Sequence, residues 1–183
     1  MPDLLSLGVT DDVSSVLPRQ TIWDLIHQDP PLASGLLEPD QQVQPCGLDV
    51  TLGAVFQLTE AGRLGVDERH LPDRVPMAFD FWGWLHLAPG SYMIQLNEVV
   101  RLPLDVMALG QPRSSLLRCG ASIGPSAVWD PGYEGRSECL LTVHNPAGIE
   151  LQKDARIMQL VFFRLEEATV AGYSGRYQGE NLR

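Results

Sequence analysis

Five segments of this 183-residue chain set polar residues of catalytic type beside glycines within otherwise apolar surroundings: 44–49, 112–118, 129–135, 156–159 and 172–179. In Arg113-Ser114-Ser115-Leu116-Leu117-Arg118 the arginine forks are bidentate donors matched to phosphate oxygens, and the serine hydroxyls add donors without charge. On a strand Arg113 and Arg118 would point to opposite faces, whereas a turn or one helical turn would let both reach a single anion. The same run also reads as two surface arginines in a loop. Asp130-Pro131-Gly132-Tyr133 has the composition of a tight turn, the aspartate accepting local N–H bonds and the glycine supplying positive φ. That geometry would also hold a carboxylate rigidly where a water or hydroxyl must be oriented. His27, His70, His86 and His144 have no mutual spacing suited to a metal site or a triad and read as surface or core residues. Phe79, Phe81, Trp82 and Trp84 read as core or interface aromatics, and the pairs Asp67-Glu68 and Glu166-Glu167 as solvated faces.

The elements that must carry these groups are short. Seventeen glycines and fourteen prolines are scattered along the chain, which favours many brief elements joined by turns. Ile22, Leu25 and Ile26 fall at i, i+3, i+4 and predict an amphipathic helix over residues 19–27, stopped by Asp29-Pro30-Pro31. Beyond it the chain alternates as strands over 48–52 (ending at Gly53), 55–58, 92–96, 98–104, 138–144 and 157–165, a pattern of an all-β sandwich or barrel. Residues 62–80 read as a polar excursion between strands. Residues 1–17 read as a loosely ordered lead-in, and the length predicts a single domain over 1–183.

Charge and composition exclude some functions. The net charge is −10, from 13 basic and 23 acidic residues. It is uneven: residues 1–91 hold 4 basic and 13 acidic side chains, residues 92–183 hold 9 and 10, and Lys153 is the single lysine. Such an acidic surface excludes general duplex nucleic-acid binding but not a small phosphorylated ligand held by a few arginines. The longest apolar runs are far shorter than the ~20 residues of a membrane helix, and Met1–Thr10 carries no secretory signal pattern. Three cysteines without zinc-site spacing read as reduced thiols. A cytoplasmic protein without a membrane or nucleic-acid partner is the expectation.

Taken in order, the runs Pro-Arg-Ser-Ser-Leu-Leu-Arg-Cys-Gly (112–120), Ala-Val-Trp-Asp-Pro-Gly-Tyr-Glu-Gly-Arg-Ser (127–137), Ala-Arg-Ile-Met-Gln-Leu (155–160) and Tyr-Gln-Gly (177–179) resemble the dCTP deaminase/dUTPase superfamily, and within it the deaminase-like dUTPase branch. The resemblance spans roughly residues 18–181. It implies an all-β, jelly-roll-like subunit with a short N-terminal helix, assembled as a homotrimer with sites between subunits. The implied reaction is hydrolysis of dUTP to dUMP and pyrophosphate, with Mg2+ on the triphosphate. It implies that Asp130 orients the attacking water and contacts the 3′-hydroxyl, and that Tyr133 packs under the deoxyribose and leaves no room for a 2′-hydroxyl. It implies further that Arg113, Ser114 and Arg118 bind triphosphate oxygens, with Gln159 in support, and that Asp49 orders the metal-bound water shell without ligating the metal directly. The backbone around 127–129 would read the uracil edge. Mg2+ prefers oxygen ligands and keeps several waters, so few protein ligands are needed.

The resemblance also implies a choice between reactions. Deaminases of this superfamily place a proton-transferring glutamate on the strand after the Asp-Pro-Gly turn. Here that position falls on Thr142 when aligned to Asn145, or on Leu140 when counted from Asp130, and neither transfers protons. Hydrolysis is therefore the expected reaction. Glu138 keeps a dCTP deaminase, alone or coupled to hydrolysis, as an alternative; a non-catalytic nucleotide-binding trimer is another. Gly172–Gly179, with Tyr173, Arg176 and Gln178 as substrate contacts, predicts a C-terminal segment over 172–183 that closes on the nucleotide as a mobile lid.

Overall fold

The computed structural model describes residues 15–125 and 128–182. The expected helix is observed at Arg19–His27; Ile22 is fully buried, and Leu25 and Ile26 pack against the core. Two shorter helices, Pro39–Gln42 and Ser114–Arg118, were not legible as helices from periodicity, because four or five residues give it too little length to register. All other regular elements are strands.

The main sheet is antiparallel and has nine strands among the described residues. Along its principal path Arg156–Arg164 pairs with Gly47–Leu58, which pairs with Gly90–Leu96, then Glu138–Val143, then Ala121–Pro125. Val106–Pro112 lies along Arg156–Arg164 over seven residue pairs.

Gly47–Leu58 joins the two halves of this sheet. Its residues Leu48–Thr51 pair with Arg156–Arg164, and its residues Leu52–Gln57 pair with Gly90–Leu96. The sequence pattern ends a strand at Gly53; instead one twelve-residue strand runs through it, with a register shift between Leu52 and Ala54. Glycine fits closely there, since a Cβ on Gly53 would lie 2.8 Å from the Asn97 side-chain oxygen and 3.1 Å from the Gln95 carbonyl oxygen. A bulge at such a residue bends the strand and lets it serve two partners. The enclosed core includes Leu48, Val50, Leu52, Val55, Ile94 and Phe162.

The bend is held by a buried carboxylate. Glu98 is fully buried and accepts three hydrogen bonds: from Thr51 N (2.9 Å), Thr51 Oγ1 (2.7 Å) and Gln42 Nε2 (2.7 Å). Gln42 also donates to Asp49 O (3.0 Å) and accepts from the backbone N–H groups of Leu37 and Glu38. One polar cluster thus ties the helix Pro39–Gln42 to the strand that carries Asp49.

The excursion between strands contains three short strands, of which Arg74–Pro76 pairs with the end of Gly47–Leu58. Phe79 packs against the core, but Phe81 and Trp82 are 91% and 74% exposed. They belong to a turn in which Asp80 Oδ1 accepts from the backbone of Trp82 and Trp84, so local hydrogen bonds rather than burial set their position.

Glu98→Ala leaves the Thr51 N–H, the Thr51 hydroxyl hydrogen and one of the two Gln42 amide hydrogens without their acceptor in the core. The expected loss is about 3 kcal/mol of unfolding free energy, read as a lower urea midpoint; an unchanged midpoint contradicts this role.

Candidate functional site

The chemistry-bearing residues gather in two cavities that share no lining residue. The smaller, about 240 Å³, is lined by Gln44, Asp49, Gln111, Pro112, Arg113, Ser114 and Gln159. Asp49 and Gln159 face each other across paired strands, and Gln159 Nε2 donates to Asp49 Oδ1 (3.2 Å). Gly47 makes room for this, because a Cβ there would meet Gln159 Cγ at 2.9 Å. Asp49 is 1% exposed. Its Oδ2 lies 3.3 Å from Arg113 Nε and 3.5 Å from Arg156 Nη1, yet no aligned hydrogen bond reaches it. Burial pushes the Asp49 carboxyl above its ordinary range, while Arg113, Gln159 and Arg156 pull the other way. The cavity therefore offers a cationic fork, a hydroxyl, side-chain amides and one buried carboxylate oxygen with spare accepting capacity.

The larger cavity, about 650 Å³, has the size of a small-molecule site. Leu58, Leu71, Pro72 and Met93 give it an apolar side; Arg74, Asp130, Tyr133, Ser137, Glu138, Arg176 and Glu180 give it a polar one. Asp130 sits in the turn closed by Tyr133 N donating to Asp130 O (3.1 Å), with Gly132 at φ 83°. Trp129 is buried before it, its ring seated over Gly110, where a Cβ would clash at 2.9 Å. Tyr133 Oη donates to Glu180 Oε1 (2.7 Å). Burial pushes the Glu180 carboxyl up, against the pull of that bond; burial likewise pushes the Tyr133 hydroxyl well above its ordinary value.

Glu138 lines this cavity too, with no bulge needed to bring it there. It begins the strand Glu138–Val143, pairs with Gln95, and shares a strand face with Leu140 and Thr142. Its carboxylate is occupied: Arg74 Nη1 donates to Oε2 (2.5 Å) and Asn181 Nδ2 to Oε1 (3.0 Å). Arg74 also stacks its guanidinium over Phe56, 4.5 Å from the ring centroid.

The segment 172–182 is docked on the rest of the chain. Tyr173 N donates to Pro131 O (2.7 Å), and its ring meets that of Tyr133 edge-on at 5.9 Å. Gln178 Nε2 donates to Gly132 O (3.0 Å) while its Oε1 accepts from Glu134 N (3.1 Å). Tyr173 and Arg176 line the larger cavity; Gln178 acts one layer behind, on the turn itself.

The structure thus brings together Asp49, Arg113, Ser114 and Gln159 in one cavity, and Asp130, Tyr133, Tyr173 and Arg176 in the other. Arg118 lines neither: it ends the helix begun by Ser114 and donates back to Ser114 O (3.1 Å). Of the expected base-reading backbone, Ala127 lies outside the described residues, and Val128 and Trp129 line the larger cavity. Sequence reasoning gave no site role to Arg74, Glu180 or Asn181. Arg74 sits in a polar excursion, and nothing local distinguishes Glu180 and Asn181 from other tail residues. Among the described residues no group of three or more His, Cys, Asp or Glu side chains is arranged to hold a metal ion, and no helix is long and apolar enough to cross a membrane.

The profile of the family described as dCTP deaminase-like matches residues 16–165. This chain belongs to the dCTP deaminase-like family. Within it, the chain is 43% identical over 170 residues to a probable deoxyuridine 5′-triphosphate nucleotidohydrolase of Methanococcoides burtonii, covering 92% of this chain and 99% of that one. It is 46% identical over 170 residues to a protein of the same description from Archaeoglobus fulgidus, covering 92% and 98%. The crystal structure of a 2′-deoxycytidine 5′-triphosphate deaminase from Agrobacterium tumefaciens aligns with a TM-score of 0.64 at 22% identity, over 82% of this chain and 48% of that one. The last likeness is one of fold: the curled antiparallel sheet of the dCTP deaminase-like family is the sheet found here.

Gln178→Ala removes two hydrogen bonds that hold the tail to the Gly132 turn. At about 1 kcal/mol each, their loss is expected to speed trypsin cleavage after Arg176 roughly thirtyfold, followed by mass spectrometry of the released peptide. An unchanged rate contradicts the docked tail.

Proposed function

We propose that this protein hydrolyses dUTP to dUMP and pyrophosphate. The observation that carries the proposal is the sharing of one cavity by Asp130 and Tyr133, in a chain 43% and 46% identical to two proteins described as probable dUTP nucleotidohydrolases. In this reading Asp130 orients the attacking water and takes its proton. The water oxygen bonds to the α-phosphorus, the bond from that phosphorus to the α–β bridging oxygen breaks, and pyrophosphate leaves with the electron pair. Hydrolysis of this kind asks for charge neutralisation and an aligned water rather than covalent catalysis. Tyr133 packs under the deoxyribose, Val128 and Trp129 border the base, and Tyr173 and Arg176 approach from the tail, which Gln178 holds to the turn. Arg113 and Ser114 bind triphosphate oxygens, supported by Gln159. Arg118 contributes through its helix, holding the Ser114 carbonyl and so the presentation of the Ser114 hydroxyl.

The donor set fits Mg2+ bound mainly through the substrate. Asp49 offers one buried carboxylate oxygen without an aligned hydrogen bond, beside polar side chains, a fit for accepting from a metal-bound water rather than for closing a ligand shell. When bound, Mg2+ would offset the charge of the triphosphate. In the same reading the chain assembles as a homotrimer, and the division of labour between the two cavities supports sites shared between subunits. One chain carries nucleoside contacts in one cavity and phosphate contacts in another, as a site completed between neighbouring subunits requires. The free, exposed thiols of Cys46 and Cys119 fit a reducing compartment such as the cytoplasm.

One observation favours a second reading, deamination of dCTP: Glu138 faces the cavity that holds Asp130. Against it, both carboxylate oxygens are engaged by Arg74 and Asn181.

With Mg2+ and dUTP, pyrophosphate release is expected from the native chain, and Asp130→Asn is expected to lower kcat about 100-fold or more. Asp49→Asn is expected to raise the Mg2+ concentration giving half-maximal rate, by about 10–100-fold. Equal pyrophosphate release by native protein and Asp130→Asn sinks the hydrolytic reading. Tight dUTP binding without product points to a nucleotide-binding trimer. Ammonia from dCTP that disappears in Glu138→Gln points to the deaminase.

A further inference from the structure

A directed run of hydrogen bonds joins four residues that line the larger cavity. The indole N–H of Trp129 can only donate, and it donates to Ser137 Oγ (2.7 Å). Ser137 Oγ lies 2.9 Å from Tyr133 Oη, which lies 2.7 Å from Glu180 Oε1. A carboxylate only accepts, so with Glu180 ionised the order is fixed: Trp129 to Ser137, Ser137 to Tyr133, Tyr133 to Glu180. Trp129, Tyr133 and Ser137 are all buried, so water competes little for these bonds.

The last of these contacts is built into the backbone. Gly135 and Glu180 form a parallel β-bridge, with Arg136 N donating to Glu180 O (2.9 Å) and Gly179 N to Glu134 O (2.8 Å). A Cβ on Gly135 would lie 2.6 Å from Tyr133 Oη and 3.0 Å from Glu180 Cγ. The tyrosine hydroxyl and the tail carboxylate therefore meet over a position where no side chain fits. The tail enters by a second close approach, since a Cβ on Gly132 would lie 2.7 Å from Gly172 Cα.

We propose that Glu180 is a positioning residue for sugar selection: by accepting the Tyr133 hydroxyl hydrogen it fixes the ring that excludes a 2′-hydroxyl, so the tail sets the preference for deoxyribonucleotide over ribonucleotide. This rests on the reading of Tyr133 as the surface under the deoxyribose. Glu180 acts through Tyr133 and touches no reacting atom.

The test measures binding of α,β-imido-dUTP and α,β-imido-UTP with Mg2+ by titration calorimetry, so that it does not depend on turnover. The proteins are the native chain, Glu180→Ala, Glu180→Gln, Tyr133→Phe and the Glu180→Ala/Tyr133→Phe double variant. Glu180→Ala is expected to lower the dUTP-over-UTP binding ratio about tenfold. Glu180→Gln is expected to keep most of the ratio, since its amide oxygen still accepts. Tyr133→Phe, which also removes the acceptor of the Ser137 hydroxyl, is expected to lose at least as much as Glu180→Ala, and the double variant to be no worse than Tyr133→Phe alone, because all three lose the Tyr133–Glu180 bond. An unchanged ratio in Glu180→Ala, additive losses in the double variant, or a Glu180→Gln no better than Glu180→Ala overturns the proposal. Should Glu180→Ala fail to fold, Tyr133→Phe decides: a native ratio in it overturns the proposal, and a tenfold loss supports it. Native protein that binds and discriminates the analogues without releasing pyrophosphate from dUTP fails the proposed reaction alone. Native hydrolysis with the same selectivity in every variant fails this inference alone, and native protein that binds neither analogue overturns both.

Discussion

A carboxylate can sit in an apolar core only when donors occupy its oxygens, and Glu98 meets that condition at the point where the long strand changes partners. Two of its three donors belong to Thr51, two residues before the bulge at Gly53, and the third to Gln42. The same Gln42 amide holds the carbonyl of Asp49. The bend of the sheet, the short helix Pro39–Gln42 and the position of the buried aspartate in the smaller cavity therefore share one hydrogen-bonded cluster. Small movements there would be felt both in the pairing of Gly47–Leu58 and in the cavity that holds Arg113.

The two cavities divide the chemistry by physical type. The smaller one is polar, with two guanidinium groups next to Asp49; the larger has an apolar side facing aromatic and acidic groups. A nucleoside triphosphate has the same division, an apolar ring at one end and charged oxygens at the other. Arg74 of the larger cavity is neutralised within the chain: it stacks on Phe56 and is paired to Glu138.

Much of this was legible in the residues, and the limits have physical causes. The helix Arg19–His27 has enough length for its 3.6-residue period to register, and the strands Gly90–Leu96 and Glu138–Val143 alternate because one face of each is buried, as does Arg156–Arg164 beyond the register shift between Arg156 and Met158. Gly53 misleads because a glycine that ends a strand and a glycine that bulges one look alike in sequence; the difference is made by Asn97, forty-four positions away. Ser114–Arg118 is too short for periodicity, so whether Arg113 and Arg118 converge could not be read, and they do not. The motif residues of the two cavities were found because they cluster locally. Arg74 and Glu180 were missed because what makes them part of the larger cavity is contact with residues 64 and 47 positions distant, Glu138 and Tyr133.

The cis-docked tail has a consequence for the order in which this molecule comes into being. A ribosome makes the chain from its N-terminus, and residues 129–138 exist before residues 172–182 do. Tyr133 must therefore spend its first moments without Glu180, its hydroxyl sharing only Ser137 among the partners seen here. The wall of the larger cavity is closed by a segment synthesised after every other part of that wall, so the cavity matures as a late step of biogenesis.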